Sequence, residues 1–440
     1  MKSVWKTWNK LSLIEQIVCG LAVGIVLGLV VPKATWISIF GTMFVTALKS
    51  VAPILVLFLI MSAICHHEAG QKTNMKNIIC LYLIGTFMAG VIAAAVSFAF
   101  KVNLVLGDKA TDIKPPSSLT AVLQQLLTNL VANPVDALVN ANYLGILVWA
   151  LLLGIALRFA NQATKHVIGD LADAISTIVK WVIKLAPLGV MGLVFAAISQ
   201  NGITVLASYG KLICLLVGAM LIDALIVNPI IVFTQIHQNP YPLVLRCLKD
   251  SGITAFFTRS SAANIPVNMG LCDSLGLDRD TYAISIPLGA TINMGGASVT
   301  ITVLALAACN TLGISVSFPF AVVLCVLAAL SACGASGVPG GSLLLIPLAC
   351  SLFGISADIS AQVIGVGFII AVIQDSCETA LNSSTDVLFT AAADFKRQKR
   401  EGGHFRVSVS GKHDDLPAKE KNQAKNSQTE NEPSEINAGE

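Results

Sequence analysis

Charged residues are scarce in this sequence. Asp, Glu, Lys and Arg make up 12% of its 440 residues, whereas a soluble domain averages roughly 25%. Hydrophobic residues make up 55%, and several apolar runs approach or exceed the roughly 20 residues that a helix needs to cross a bilayer. The scarcity of charge therefore excludes an ordinary soluble domain and predicts an all-α polytopic membrane protein. The long runs lack the period-two alternation that a transmembrane β-barrel requires.

The motifs of common enzymes are also missing. The sequence contains no G-x-S-x-G, no H-E-x-x-H and no phosphate-binding P-loop, which disfavours an enzyme. It has no C-x-x-C pair, and its 11 cysteines stand mostly inside apolar runs, as small buried residues do. His66, His67 and Glu68 are adjacent, so they cannot converge on one metal ion without a distant ligand. We therefore predict a protein that is not an enzyme and has no cofactor.

Six hydrophobic spans are predicted in the first half of the chain. They cover roughly 13–31, 39–65, 77–100, 143–159, 175–199 and 205–233. Pro187 is expected to bend the fifth span. Asp223 and the pair Asn228-Pro229 are expected to interrupt the sixth. The polar stretch 101–137 is expected to form a long external loop with some helix near 119–131.

Gly20, Gly24 and Gly28 recur at every fourth position of the first span. This spacing lets a second helix backbone approach closely. Glycine is also common in membrane helices without such a contact, so the pattern alone leaves both interpretations open.

The basic residues predict the orientation of the chain. Lys and Arg cluster near the N-terminus and in further stretches at 66–76, 158–184, 246–249 and 396–400. All of these fall on one side if the spans alternate, and the positive-inside rule makes that side cytoplasmic. We therefore expect a protein of the plasma membrane with both termini in the cytoplasm. The polar segment 393–440 has the composition of a disordered tail.

Residues 243–392 are patterned differently. Two pairs of half-length apolar runs flank clusters of small polar residues at 258–266 and 331–342, and each pair is predicted to form a re-entrant helical hairpin. Each hairpin is followed by a full-length apolar segment with a polar break, the first of them at Asn293–Ala297. The two hairpins enter from opposite sides if the spans alternate. Such an inverted repeat is how many secondary transporters build a binding site.

The last apolar segment carries a stripe of polar residues. Asp375, Thr379, Asn382 and Asp386 are separated by four, three and four positions, so they share one face of a helix. Ionisable groups at membrane depth are expensive and usually face a partner or a water-filled cavity. Half-helix N-termini at the hairpins would offer N–H donors to a carboxylate, and unwound carbonyls would offer oxygens to a cation such as sodium.

Four motifs resemble the dicarboxylate/amino acid:cation symporter family, which has the sodium-coupled glutamate transporter fold. They are Thr258–Ser261, Pro287–Met294, Gly334–Gly340 and Asp375–Asp386. The likeness covers most of residues 10–393 and is strongest to the bacterial branch that carries serine and threonine with sodium. It implies eight transmembrane helices plus two re-entrant hairpins, an elevator-type transporter and a homotrimer in the bacterial inner membrane. The chain would then divide into a part made mainly of scaffold and trimerisation helices (1–242), a transport core (243–392) and the tail (393–440).

The resemblance also implies roles for individual residues. Asp375 would hold the substrate ammonium group, and Asn382 with backbone around Ser261 would hold its α-carboxylate. The other implied substrate-binding positions are Ser260, Ala335, Gly337, Glu378 and Thr379. Asp386 would bind sodium together with carbonyls of Gly289, Asn293 and Asn382. A second sodium ion would bind between Thr291 and carbonyls near 332–335.

Two departures from the family pattern bear on the substrate and the ions. Glu378 stands where carriers of acidic substrates usually have an arginine, and an acid there would repel glutamate or aspartate. Gly295 replaces an aspartate that serves the family as a sodium ligand, which predicts fewer coupled sodium ions. Arg259 is expected to pair with Glu378 or Asp375 when the site is empty. Glu378 itself is either neutral or a source of proton sensitivity.

The leading functional hypothesis is therefore sodium-coupled symport of small neutral amino acids, serine and threonine. One alternative is a sodium-coupled carrier of another neutral or acidic amino acid. An alternative from a different class is an ion channel with re-entrant loops that line a pore.

Overall fold

The computed structural model describes residues 11–65, 75–106, 128, 131–333, 335 and 340–401. All regular elements in these ranges are helical. The first half contains α1 (Leu13–Val30), α2 (Ser38–Cys65), α3 (Met75–Ala99), α4 (Pro134–Val139), α5 (Tyr143–Leu157), α6 (Gln162–Ile183), α7 (Ala186–Asn201), α8 (Val205–Ile222) and α9 (Asn228–Ile236). The second half contains α10 (Tyr241–Cys247), α11 (Ile253–Thr258), α12 (Ser261–Ser274), α13 (Arg279–Ile292), α14 (Gly295–Thr311), α15 (Phe318–Ala332), α16 (Ile346–Ser351) and α17 (Ala357–Arg400). The predicted Gly337 and the helical part of 119–131 lie outside the described residues, apart from residues 128 and 131.

Five helical stretches in the described ranges are long and apolar enough to cross a membrane. They are Thr35–Ser62, Met75–Ala99, Val205–Ile236, Arg279–Thr311 and Ala357–Arg400. The pair α6 and α7 adds a sixth if it is counted as one span bent by 52°. The expected bend in the fifth span is therefore a break, which falls just before Pro187 in the first turn of α7. That position suits proline because the first helical N–H groups have no partner within the helix.

The glycine stripe of α1 packs against α7. A methyl group built on Gly24 would lie 2.6 Å from the carbonyl oxygen of Met191, and one built on Gly28 would lie 3.0 Å from the side chain of Ile198. The distance at Gly24 is too short for a real side-chain carbon, and the distance at Gly28 is tighter than most real contacts. The close approach of the two backbones therefore depends on glycine. The structure therefore selects the helix-contact interpretation of the stripe.

Two of the long apolar stretches are interrupted where the sequence predicts. Between α8 and α9 the chain forms a π-helical turn at Asp223–Val227, followed by Asn228-Pro229. Between α13 and α14 the helix is broken at Asn293 and Met294, whose backbone angles are not helical. Each break leaves backbone groups without partners in their own helix.

The chain folds back on itself at two places, each with two antiparallel arms. At the first, one arm consists of α10, a π-helical turn (Leu248–Gly252) and α11, and the other arm is α12. The arms are antiparallel, because Arg246 at the start of one donates a hydrogen bond to Ser274 at the end of the other, at 3.0 Å. At the second, α15 and α16 are antiparallel, and the rings of Phe320 and Phe353 lie 6.5 Å apart. We call these two folded-back units hairpin 1 and hairpin 2.

Helix α17 lies at the centre of the fold. It packs against both arms of hairpin 1, against α16 of hairpin 2, and against α13 and α14. It also continues through Arg400, beyond the boundary at 392 that composition suggests. Ala393 and Asp394 are buried, and Asp394 accepts hydrogen bonds from Arg397 at 2.7 Å and from the backbone of Asp278 at 3.1 Å. These contacts stabilise the last turns, which local composition does not reveal.

Candidate substrate and sodium site

The four residues of the predicted stripe share one buried face of α17. Asp375, Thr379, Asn382 and Asp386 are each at most 6% exposed. The helix begins at a serine N-cap, Ser356, whose side chain accepts from the backbone of Ile359. It then runs for 44 residues without a break. The stripe is therefore presented by a rigid element, and the partners of each side chain come from other parts of the fold.

Asp375 contacts both hairpins. Its Oδ2 atom accepts a hydrogen bond from Nε of Arg259 at 2.6 Å, and its Oδ1 atom accepts one from the backbone N–H of Gly340 at 3.0 Å. Arg259 lies at the turn of hairpin 1 with φ of +52°, and Gly340 lies at the end of the hairpin 2 tip with φ of +74°. Of the two partners that the sequence offers for Arg259, the structure selects Asp375.

Glu378 is surrounded by hydrogen-bond donors. Its Oε2 atom accepts from the hydroxyl of Thr300 at 2.7 Å, from the hydroxyl of Ser342 at 2.7 Å and from the amide of Gln374. These donors belong to α14, to the outgoing arm of hairpin 2 and to α17 itself. The carboxylate therefore links hairpin 2 to α14 and α17. An ionised carboxylate can accept all three hydrogen bonds.

Asn382 faces the break between α13 and α14. Its Oδ1 atom accepts a hydrogen bond from the backbone N–H of Gly296 at 2.7 Å. Gly296 is the second residue of α14, where N–H groups lack acceptors in the helix and carry partial positive charge. Thr379 donates its hydroxyl to the carbonyl of Asp375 at 2.7 Å. The middle of the stripe thus lies beside a helix end suited to an anion.

Asp386 lies at the predicted sodium position. It is fully buried, and its Oδ1 atom accepts from the amide of Asn293 at 2.9 Å. A methyl group on Gly289 would lie 2.6 Å from that oxygen, so the three positions converge. No described residue donates a hydrogen bond to Oδ2 of Asp386. A buried carboxylate oxygen without a donor, beside unwound backbone, suits a hard cation such as sodium.

The remaining predicted positions are placed less closely. Ser260 caps α12, since its hydroxyl oxygen accepts from the backbone of Ala263 at 3.2 Å, and Ser261 and Ala335 are buried. Thr291 is exposed and donates its hydroxyl to Leu288 in its own helix at 2.7 Å. The structure does not join Thr291 to the Asp386 group.

A second polar cluster was missed at the sequence level. Asn264 donates to the hydroxyl of Ser383 at 2.7 Å, Asn268 donates to the carbonyl of Ser383 at 3.0 Å, and Ser251 donates to Asn268. These buried side chains fasten both arms of hairpin 1 to α17. The available signal was the spacing of four between the two asparagines in an otherwise apolar helix, as well as Ser383 beside the stripe.

A broken helix, folded-back helix pairs and a buried acidic stripe are typical of secondary transporters. The sequence matches the sodium:dicarboxylate symporter family over residues 13–395, and the chain belongs to that family. It is 60% identical over 395 residues to proteins named serine/threonine transporter SstT from Streptococcus agalactiae serotype III (strain NEM316) and serotype Ia (strain A909). Each alignment covers 90% of this chain and 98% of the relative. These findings confirm the predicted family and a transporter rather than an enzyme.

Proposed function

We propose that this chain is a sodium-coupled secondary active symporter that imports small neutral amino acids, with serine and threonine as its substrates. Its family consists of sodium symporters, and its relatives are named serine/threonine transporters. The observation that carries the proposal is the Asp375 carboxylate, which is buried and accepts a hydrogen bond from each hairpin. A substrate ammonium group bound to Asp375 would therefore lie between both hairpins.

The charges around the stripe support a neutral substrate side chain. Glu378 lies one turn from Asp375, and the Nε atom of Arg259 is already paired with Asp375. A substrate with a second carboxylate would meet two acids in a weakly screened interior. A hydroxyl group avoids that repulsion and can exchange hydrogen bonds with neighbouring polar groups. The other positions that we assign to the substrate are Ser260, Ala335, Gly337 and Thr379.

The substrate α-carboxylate is assigned to Asn382 and to backbone near Ser261. The side chain of Asn382 on α17 contacts the amino-terminal end of α14, and Ser261 is the first residue of α12. Both helix ends offer N–H groups that carry partial positive charge. The two ionic ends of an amino acid would then be held by separate groups on α17, with the side chain left to the remaining space.

Sodium is assigned to the Asp386 carboxylate with carbonyls of Gly289, Asn293 and Asn382. A second ion is assigned to Thr291 and carbonyls near 332–335. The thiol of Cys333 donates a hydrogen bond to the carbonyl of Ile292 at 3.4 Å. This contact between the residue after Thr291 and the segment 332–335 supports the assignment of the second ion. Coupling follows if hairpin 2 closes only when both solutes complete its contacts, since a ligand shifts a conformational equilibrium only by its differential affinity.

The finer architecture belongs to the same proposal. The helices assemble as eight transmembrane helices with two re-entrant hairpins in inverted repeats, and both termini are cytoplasmic. Helices before 243 mainly form the scaffold of a homotrimer, and residues 243–392 form the core that moves as an elevator. The break at 293–294 and the folded-back hairpins support a core with unwound backbone inside.

The substrate assignment is tested by competition in proteoliposomes. Uptake of labelled serine is measured with an inward sodium gradient while each of the 20 amino acids is added in excess. We expect serine and threonine to compete most strongly, with aspartate and glutamate ineffective. Strong competition by aspartate would overturn the neutral-substrate assignment.

A further inference from the structure

The turn between α8 and α9 is built to hold an irregular backbone. The N–H group of Asn228 donates to the carbonyl of Asp223, five residues back, instead of the carbonyl of Ala224. Pro229 has no N–H group to give to Leu225, and the hydroxyl of Tyr241 donates to that carbonyl at 3.1 Å. A π-helical turn inside a membrane helix frequently marks a functional site.

Asp223 presents a buried carboxylate that is half satisfied. It is 2% exposed, and its Oδ2 atom accepts from the amide of Asn228 at 2.9 Å. No described residue donates a hydrogen bond to Oδ1. A buried carboxylate oxygen without a partner is costly, and such a group points to a bound water molecule or ion.

The carboxylate is directed toward the start of α14. A methyl group built on Gly295, the first residue of that helix, would lie 4.0 Å from Oδ2 of Asp223. Asp223 of the π-helical turn therefore lies next to the space that a side chain at position 295 would occupy. The positive end of α14 explains why a carboxylate is tolerated there, but it does not supply a hydrogen bond for Oδ1.

Other oxygen atoms at the junction of α3, α14 and the π-helical turn also lack partners. Ser298, one turn into α14, is fully buried, and a methyl group on Gly90 of α3 would lie 2.8 Å from its hydroxyl. Thr86 lies one turn before Gly90 and is fully buried as well. Neither hydroxyl has a hydrogen-bond partner among the described residues. Helix α3 packs against both α14 and the π-helical turn, so the junction offers several unused oxygens in an otherwise apolar interior.

This junction adjoins the Asp386 group. Asn228 lies in the same packed region as Ser384 and Thr385 of α17. The hydroxyl of Thr385 accepts from the amide of Asn293, the same amide that donates to Asp386. The side chains of Asn228, Thr385 and Asn293 therefore connect the surroundings of the two buried carboxylates.

We propose that Asp223, held by Asn228 against the start of α14, is the carboxylate of a further sodium site that is distinct from the Asp386 site. The inference rests on the proposed sodium-coupled transport. A hard monovalent cation suits the site because it prefers oxygen ligands, and one positive charge neutralises the buried acid. The glycine at 295 alone predicts fewer sodium ions. The position of Asp223 reverses that expectation, since another helix supplies the carboxylate.

The test uses the full chain in proteoliposomes and measures serine uptake against sodium concentration. In Asp223→Asn we expect the sodium concentration for half-maximal uptake to rise at least tenfold and the Hill coefficient to fall. The double variant Asp223→Asn/Gly295→Asp moves the carboxylate from position 223 to position 295. We expect both values to return to within threefold of the wild type. Asp358→Asn, which removes an exposed acid paired with Lys49, is the matched control and leaves both values unchanged.

Each other outcome has a defined meaning. An unchanged sodium dependence in Asp223→Asn overturns the site, as does a change in the pH dependence of uptake without a change in sodium dependence, which would assign a proton to the acid. If Asp223→Asn does not fold, the double variant decides: wild-type sodium dependence supports the site, whereas weakened dependence or failure to fold contradicts it. Uptake by the wild type without any sodium dependence would instead refute the proposed function.

Discussion

The Nε atom of Arg259 lies 2.6 Å from Oδ2 of Asp375, although the two residues are 116 positions apart in the chain. The pair joins the turn of hairpin 1 to the stripe of α17. The other oxygen of the same carboxylate accepts the backbone N–H of Gly340 from hairpin 2. A substrate ammonium group would bind Asp375 beside Arg259, which would remain paired with the same carboxylate.

Asp375→Asn should reduce serine uptake by at least about 30-fold. The amide cannot pair with the substrate ammonium group, and loss of one partner of a buried charge pair costs about 2–5 kcal/mol in binding, where each 1.4 kcal/mol is about tenfold. Initial rates of uptake at saturating sodium measure the effect. Ser376→Ala is the control, because the one described hydrogen bond of that hydroxyl is donated to Val372 in its own helix, at 2.8 Å. Uptake by Asp375→Asn within threefold of the wild type would remove the residue from the site.

Glu378→Gln should raise the KM for serine about tenfold or more. The neutral amide replaces an acceptor of three hydrogen bonds with a group that has one acceptor and two donors of its own. At least one of Thr300, Ser342 and Gln374 would lose its partner, and hairpin 2 would be held less firmly. Ser342→Ala removes a single donor and should have a smaller effect in the same direction. If both variants transport serine with wild-type KM, the link to hairpin 2 is incidental.

Gly289→Ala should weaken sodium binding. The added methyl group would lie 2.6 Å from Oδ1 of Asp386 and 2.9 Å from the hydroxyl of Tyr82, so the carboxylate must move. We expect the sodium concentration for half-maximal uptake to rise about tenfold, since overpacking of a tight site typically costs about 1–3 kcal/mol. Gly270→Ala is the matched control, because nothing lies within 4 Å of its added methyl group. Equal sodium dependence in the two variants would contradict the assignment.

Gly24→Ala should lower the thermal stability of the purified protein. The methyl group would meet the carbonyl oxygen of Met191 at 2.6 Å and push α1 away from α7, at a cost of about 1–3 kcal/mol. The measurement is the melting temperature in detergent. Gly218→Ala on α8, which has open space around it, provides the comparison. An unchanged melting temperature for Gly24→Ala would show that the two helices are not held by this contact.

The sequence predicts those features that repeat along one element. The spacing of Asp375, Asn382 and Asp386 places them on one helix face, and the break at Asn293 is visible as a polar interruption of an apolar run. The spacing of the glycines of α1 allows a close contact with another helix, but it leaves that contact undecided and does not identify the partner. These features depend on residues that are close together in the sequence and on the period of the helix that carries them. They can therefore be recognised without knowledge of the packing of separate helices.

The contacts of Glu378 could not be predicted in the same way. Thr300 and Ser342 lie 78 and 36 residues away in the chain, and the sequence offered Arg259 as a partner for either acid. The relationship between Asp223 and Gly295 is likewise set by the packing of separate helices. The end of α17 at Arg400 depends on Asp394 and its partners, which override the polar composition of that segment.

The most direct test of the account is serine uptake driven by sodium alone. Purified protein is reconstituted into proteoliposomes, and labelled serine is supplied outside with an inward sodium gradient or with potassium in place of sodium, at equal ionic strength. The account predicts transient accumulation of serine above the external concentration with the sodium gradient, none with potassium, and loss of accumulation in Asp386→Asn. Equal accumulation of serine with and without a sodium gradient would contradict it.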